Sequence, residues 1–423
     1  MRMPDATWAR SLVALSMLSL LVASCAGPAA AAEVRSSAPR AAADPAAARD
    51  AQDALDAFSA DLYATLARTP GNLVLSPYSV AVALAMTRAG AVGKTRSEMD
   101  AVLRASSAKD LDAAFNALEQ ALARRPGTYE LGDQKLPLEL ATANRLWGQK
   151  GTPFEAPFLD TLASSYGAGM QIVDYIGATE DARKTINAWV ADKTKDRITD
   201  LIPQGALDQM TRLVLTNAIY LKASWVNKFD DAHPGAFHRA DGSEVQAQLM
   251  RLNETLPYAK ADGYQAVRLP YAGGLSMLVV VPDAGTLGAF EKGLDGARLR
   301  AIAGGLAPRA VHLAMPKFTF RTEAALKDAL SEMGMPTAFS DAADFSAMTT
   351  KEQLQIADVL HQAFIAVDEK GTEAAAATAV VMRATSAPLD PVELTVDRPF
   401  LFLITDDETG AVLFMGRVVD PTA

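Results

Sequence analysis

Residues 369–380 read Glu-Lys-Gly-Thr-Glu-Ala-Ala-Ala-Ala-Thr-Ala-Val, a run of small side chains that can serve as an exposed loop or enter a sheet as a buried strand. Successive side chains of a strand point to opposite faces, so Thr372, Ala374, Ala376 and Thr378 would share one face. All of these are small enough to slip between strands already in place. On these residues alone two plainer readings stay open. Consecutive Ala residues after a Glu suit a helix, and an Ala/Thr/Ser stretch ending at Pro388 and Pro391 suits a linker.

Upstream stand Asn72-Leu73-Val74-Leu75-Ser76-Pro77-Tyr78-Ser79, then Ala83-Leu84-Ala85-Met86 and Gly90-Ala91-Val92-Gly93-Lys94-Thr95. Midway come Leu215-Thr216-Asn217-Ala218-Ile219-Tyr220-Leu221-Lys222 and Trp225, and near the end Asp397-Arg398-Pro399-Phe400-Leu401-Phe402. This set, in this order, resembles the serpin family of serine-protease inhibitors over roughly residues 50 to 421. The resemblance implies an α+β fold with three β-sheets, eight or nine helices and an exposed reactive-centre loop near the carboxyl end. It also implies the mode of action: a protease is acylated at a bait bond, and the loop then inserts irreversibly into the central sheet.

That implication assigns roles to particular residues. Glu369, Gly371, Thr372, Glu373, Ala374, Ala375 and Ala376 match the family's hinge, with Gly371 supplying backbone freedom at the bend. By the family's usual spacing the bait bond lies sixteen residues after Glu369, between Thr385 and Ser386. A small β-branched Thr385 suits an elastase-like or subtilisin-like protease with a shallow pocket; the competing Arg383 suits a trypsin-like one. The loop to Pro399 is about three residues longer than is common in the family, and the surplus falls after the bait bond. Ser76, Ser79, Asn217 and His361 match a polar cluster beneath the central sheet, while Lys317 and Glu369 match a pair that closes its top near Trp225.

The pattern of elements agrees with a mixed fold. Apolar residues at three- and four-residue spacing predict helices over Ala51–Arg68, Pro77–Ala89, Ser97–Ala105, Leu111–Ala123, Asp181–Asp196 and Glu323–Met333. Runs rich in β-branched and apolar residues predict strands over Arg212–Leu221, Gln246–Leu249, Tyr264–Pro270, Ser276–Pro282, Ala310–Pro316, Leu354–Asp368, Val392–Val396, Leu401–Thr405 and Val412–Val419. Helices early and strands late argue against a doubly wound sheet.

At the amino end, Arg2 and Arg10 precede an apolar run from Leu12 to Ala23 that is too short to span a bilayer and has the layout of a secretory signal. Leu21-Val22-Ala23-Ser24-Cys25 then resembles the bacterial lipobox, making Cys25, the only cysteine, a candidate lipid anchor. Cleavage after Ala30 or Ala32 is the alternative. Residues 1–24 thus read as signal, 25–50 as an Ala/Pro-rich flexible spacer, and 51–423 as one large domain. Membrane contact would run only through the anchor, and a monomer is expected.

Several chemistries lack their residues. With 40 Lys+Arg against 50 Asp+Glu and no basic cluster, nucleic-acid or heparin binding is not expected. Gly90 to Thr95 fails as a phosphate loop because Arg88 stands where that pattern needs glycine. The four histidines, His233, His238, His312 and His361, form no metal-binding spacing, and no nucleophile elbow is present, so neither cofactor nor enzymatic activity is expected. Two rivals remain: a serpin-fold binding or chaperone-like protein that inhibits nothing, and a hydrolase drawing Ser, His and Asp from scattered positions, with His361 as its base.

Overall fold

The structure, a computed structural model, describes residues 31–107, 110–373 and 390–423. Helices dominate the first third of the chain. The Ser76 hydroxyl accepts the Ser79 N–H and Pro77 occupies the first turn, where its missing N–H costs nothing, so a helix runs Pro77–Arg88. Every residue of that helix is buried, as expected where small and aliphatic side chains surround its axis. Asp110 caps Leu111–Leu122 in the same way, through the Ala113 N–H. Ten α-helical segments occur among the described residues, one or two more than expected, because short turns such as Pro45–Asp50 and Leu287–Lys292 count among them.

Two nine-stranded sheets carry the rest. The first runs Ala32–Val34, Met170–Val173, Arg145–Gln149, Leu213–Ser224, Gly371–Thr372, Val359–Asp368, Phe318–Ala325, with the hairpin Gly127–Leu131/Gln134–Thr142 also paired onto Leu213–Ser224. Of Leu213–Ser224 only Lys222 is not fully buried, because both faces of this strand are covered. The helix Thr179–Lys193 lies over one face, packing Ile186 and Val190 with Trp147, Val214 and Leu360. The second sheet runs Val392–Thr395, Ala307–Pro316, Glu244–Ala261, Tyr264–Tyr271, Leu275–Pro282, Phe400–Asp406, Val412–Val418, Leu73–Leu75. The third sheet implied by the resemblance is continuous with this one. Glu244–Ala261 has 18 residues, enough to pair with Asp230–His238 at one end and Tyr264–Tyr271 at the other.

Most expected elements lie within a few residues of their observed bounds, and the exceptions have physical causes. Gln246–Leu249 is only the start of that long strand. Glu323–Ala325 continues the strand Phe318–Ala325, whose alternating burial follows a period of two, and the helix starts later, at Lys327–Met333. The strands Gln134–Thr142 and Arg145–Gln149 escape the pattern because they carry few β-branched residues.

Residues 31–50 correct the expected flexible spacer. Ala32–Val34 pairs antiparallel with the edge strand Met170–Val173, whose backbone groups would otherwise be open. Arg40 donates to Asn116 Oδ1 and to Glu119 Oε2, each at 2.9 Å. Asp44 caps the helix Pro45–Asp50, which buries Ala48. Alanine is a strong helix former as well as a linker residue, and a capping Asp followed by Pro starts a helix from it. Glu119 is so enclosed that burial raises its carboxyl to about 7 even with Arg40 pulling the other way.

Candidate functional site

Leu213–Ser224 and Val359–Asp368 run parallel and pair directly from Leu215/Val359 to Ile219/Ala363. Above that point they part, and Gly371–Thr372 stands between them, antiparallel to both. Gly371 faces Ser224 and Asp368; Thr372 faces Ala223 and Val367. In each case the flanking residues are 144 apart (368−224, 367−223), the same offset as in the directly paired stretch (359−215, 363−219). The two strands therefore separate without slipping, with a two-residue strand between them.

Gly371 has a φ of 153°, and a Cβ there would stand 2.0 Å from the Ala223 carbonyl oxygen, so no other residue fits this turn. The Thr372 side chain is 2 % exposed and shares a hydrogen bond of 2.5 Å with the Tyr271 hydroxyl, on the second sheet beneath. Burial raises the Tyr271 phenol above its ordinary value, so it stays neutral and able to donate. Tyr271 stacks on Trp225 with ring centroids 4.0 Å apart, and the Trp225 indole N–H donates to the Asp368 carbonyl at 2.9 Å. Glu369 pairs with Lys317 at 3.0 Å and also accepts the Ala232 N–H. Burial works against the ionised Glu369 carboxyl, yet hydrogen bonds from its own backbone, Lys317 and Ala232 leave it below the usual value. Lys317, Trp225, Glu369, Gly371 and Thr372 thus form one constellation at the top of the sheet.

Lower down, where the two strands still pair, Ser76, Ser79, Asn217 and His361 come together around Asn144. The Asn144 Oδ1 accepts the Ser79 hydroxyl at 2.5 Å and the Asn217 amide at 3.2 Å. His361 Nδ1 lies 2.5 Å from Asn217 Oδ1, and its Nε2 accepts the Ser76 N–H at 3.2 Å. One ring nitrogen faces an acceptor and the other a donor, so the imidazole is neutral with its proton on Nδ1. Burial holds His361 down to about 4. With both nitrogens committed and no path to solvent, His361 cannot serve as the base of a hydrolase. Direct pairing ends two residues above it, at Ala363.

Asn144 and Tyr271 were not singled out from the sequence. Asn144 follows a strand of mixed burial with no periodic signal, and Tyr271 matters through a contact 101 residues away. Glu373, expected in the hinge, still donates its N–H to the Ala366 carbonyl at 2.9 Å, but its φ of 50° departs from strand geometry and its carboxylate bonds Arg197. Ala374, Ala375, Ala376, Arg383, Thr385, Ser386 and Cys25 lie outside the described residues.

A family model described as serpin (serine protease inhibitor) matches residues 53–421. An uncharacterised serpin-like protein of Thermococcus kodakarensis is 37% identical over 87% of this chain and 85% of its own length. Leukocyte elastase inhibitor of Xenopus laevis is 36% identical over 83% of this chain and 93% of its own. Among solved structures, the thermophilic serpin tengpin in its native state matches with a TM-score of 0.80 and 26% identity, covering 92% of this chain and 100% of that one.

The neutral imidazole has a measurable consequence. Its value of about 4 in the fold lies below the ordinary 6.5, so below pH 6.5 the unfolded chain takes up a proton that the fold refuses. Stability falls as pH drops from about 6.5 towards 4, by on the order of 3 kcal/mol at the lower end. A His361→Gln variant should lose this slope when urea midpoints are compared across that range, whereas parallel pH profiles would show that His361 is not held neutral.

Proposed function

The chain belongs to the serpin family, a family of protease inhibitors and not of enzymes, and from that premise we propose that it is a single-use covalent inhibitor of serine proteases. The observation that supports this most directly is the hinge, two residues into a sheet whose flanking strands already hold the register for the rest.

The protease serine oxygen attacks the carbonyl carbon of Thr385; the bond to the Ser386 nitrogen breaks, the amine leaves with a proton, and an ester joins protease to loop. The freed hinge side then continues into the sheet. Insertion of about a dozen residues makes on the order of a dozen hydrogen bonds at roughly 0.5–1.5 kcal/mol net each. That is comparable with the roughly 5–15 kcal/mol that holds a whole domain together, enough to pull an attached protease out of shape. The intact molecule is then kinetically trapped. The Lys317–Glu369 pair, partly exposed, adds only about 0–1 kcal/mol to closure of the top.

Thr385 favours an elastase-like or subtilisin-like target, in keeping with the similarity to an inhibitor named for elastase; use of Arg383 would direct the inhibitor to trypsin-like enzymes. The signal-like amino end supports export, with anchoring through Cys25 when that residue is lipidated. A Cys25→Ala variant that still enters the detergent phase would rule the anchor out.

Incubation with a panel of serine proteases should give an SDS-resistant band at the summed mass. The released peptide should begin at Ser386, or at Ala384 if Arg383 is the bait. Thr372→Arg should convert the inhibitor into a substrate, because an unpaired charge beside Tyr271 costs several kcal/mol. Undiminished inhibition by that variant, in a titration of residual protease activity, would contradict insertion.

A further inference from the structure

The amino-terminal strand docks by a fit built into the body of the protein. Ala32–Val34 pairs with Met170–Val173, and a Cβ at Gly169 would stand 2.8 Å from the Val34 carbonyl oxygen, so only glycine lets the segment lie this close. Just ahead of it, Ala31 packs together with Leu207 on the cluster of Trp147, Val173 and Ile186. The chain is therefore held from Ala31 onward. Cys25 stands six residues earlier, and six residues reach at most about 22 Å when fully extended.

Strand register places that entry point at one end of the first sheet. Leu213 faces Gly148, Gly148 faces Ile172 and Ile172 faces Ala32, a single row across four strands. At the other end of Leu213–Ser224, Ser224 faces Gly371 of the hinge. At about 3.3 Å per residue, the twelve residues of that strand put about 36 Å between the two ends. The amino-terminal entry and the hinge thus lie at opposite ends of the sheet.

The entry end also carries apolar side chains that nothing covers. Met210, 81% exposed, is the most open large apolar residue among the described residues, and Ile176 is 47% exposed. Gln149 ties their two loops together: its N–H donates to the Arg212 carbonyl at 3.0 Å, and its Oε1 accepts the Tyr175 and Ile176 N–H groups at 2.8 and 3.3 Å. Lys150 and Arg212 have acidic neighbours in Asp174 and Glu352, the second pair at 3.9 Å, so attraction to anionic lipid adds little here. Leu131 is 49% exposed as well, but it lies at the tip of the hairpin Gly127–Leu131/Gln134–Thr142. That hairpin pairs from Thr142/Ile219 to Leu138/Ala223, which carries its tip to the hinge end.

We propose that the end of the sheet marked by Ile176 and Met210 seats on the lipid surface in which Cys25 is anchored, so that the hinge at Gly371 faces away from the membrane. This seat rests on lipidation of Cys25, and on no property of the loop or its target. A short tether keeps the domain at the surface, and the apolar side chains beside its entry point decide which way the domain turns. A protease would then meet the inhibitor from the side remote from the bilayer.

The test uses full-length lipidated protein on vesicles of phosphatidylethanolamine and phosphatidylglycerol that carry a quencher on the lipid headgroup. Cys25 is the only cysteine and the lipid occupies its thiol, so Met210→Cys, Ile176→Cys and Leu131→Cys each offer a single site for a fluorescent label. Quenching at 210 and 176 should exceed that at 131 by roughly threefold or more, at low and at high salt. Lengthening the tether by about twenty Gly/Ser residues between Gly27 and Pro28 should narrow the difference while the protein stays on the vesicles. Equal quenching at all three positions on vesicle-bound protein overturns the seat and leaves the anchor standing. Protein that stays off the vesicles, with Cys25→Ala behaving the same, removes the anchor and the seat with it.

Discussion

Two parallel strands that pair at one end and stand apart at the other impose a single direction of change on this molecule. Between Leu215/Val359 and Ile219/Ala363 the backbone groups of Leu213–Ser224 and Val359–Asp368 satisfy each other; higher up, Gly371 and Thr372 take over that task for both strands. The common offset of 144 residues means that a strand entering from Ile219/Ala363 downward would exchange one set of hydrogen bonds for two, with no slip of register. Everything else at the site serves the boundary between these arrangements. Gly371 lets the chain reverse against the Ala223 carbonyl, Tyr271 receives the first inward side chain, and Trp225 with the Lys317–Glu369 pair closes the rim.

The polar cluster below is the other side of the same constraint. On the proposed mechanism this strand interface reopens, and apolar packing alone would resist that, because each methylene separated costs about 0.8 kcal/mol with nothing to replace it. Ser79, Asn144, Asn217 and His361 instead hold the two strands and the buried helix Pro77–Arg88 together by hydrogen bonds that other partners can replace. His361 serves this only as a neutral ring, since a second ring proton would have no acceptor where the Ser76 N–H points at Nε2.

Much of this was legible in the residues because it depends on local properties. Small side chains from Thr372 onward, a glycine at 371 and the motifs around Ser76 and Asn217 pointed to the serpin fold, and the helices Pro77–Arg88 and Leu111–Leu122 lie within one residue of where their apolar spacing put them. What the sequence did not disclose depends on partners distant along the chain. Tyr271 acquires its role from Thr372, and Asn144 from Ser79 and Asn217. The amino-terminal segment is the plainest case: Ala and Pro read as spacer until an open sheet edge at Met170–Val173 and the Asn116/Glu119 pair give Ala32–Val34 and Arg40 something to hold.

The central claim is that the intact fold stores free energy which cleavage of the loop releases. It is tested most directly by calorimetry of intact and loop-clipped protein side by side. Insertion of the loop should raise the melting temperature of the clipped form well above that of the intact one. Clipped protein that melts at or below the temperature of the intact molecule would contradict a sheet poised to take up a strand.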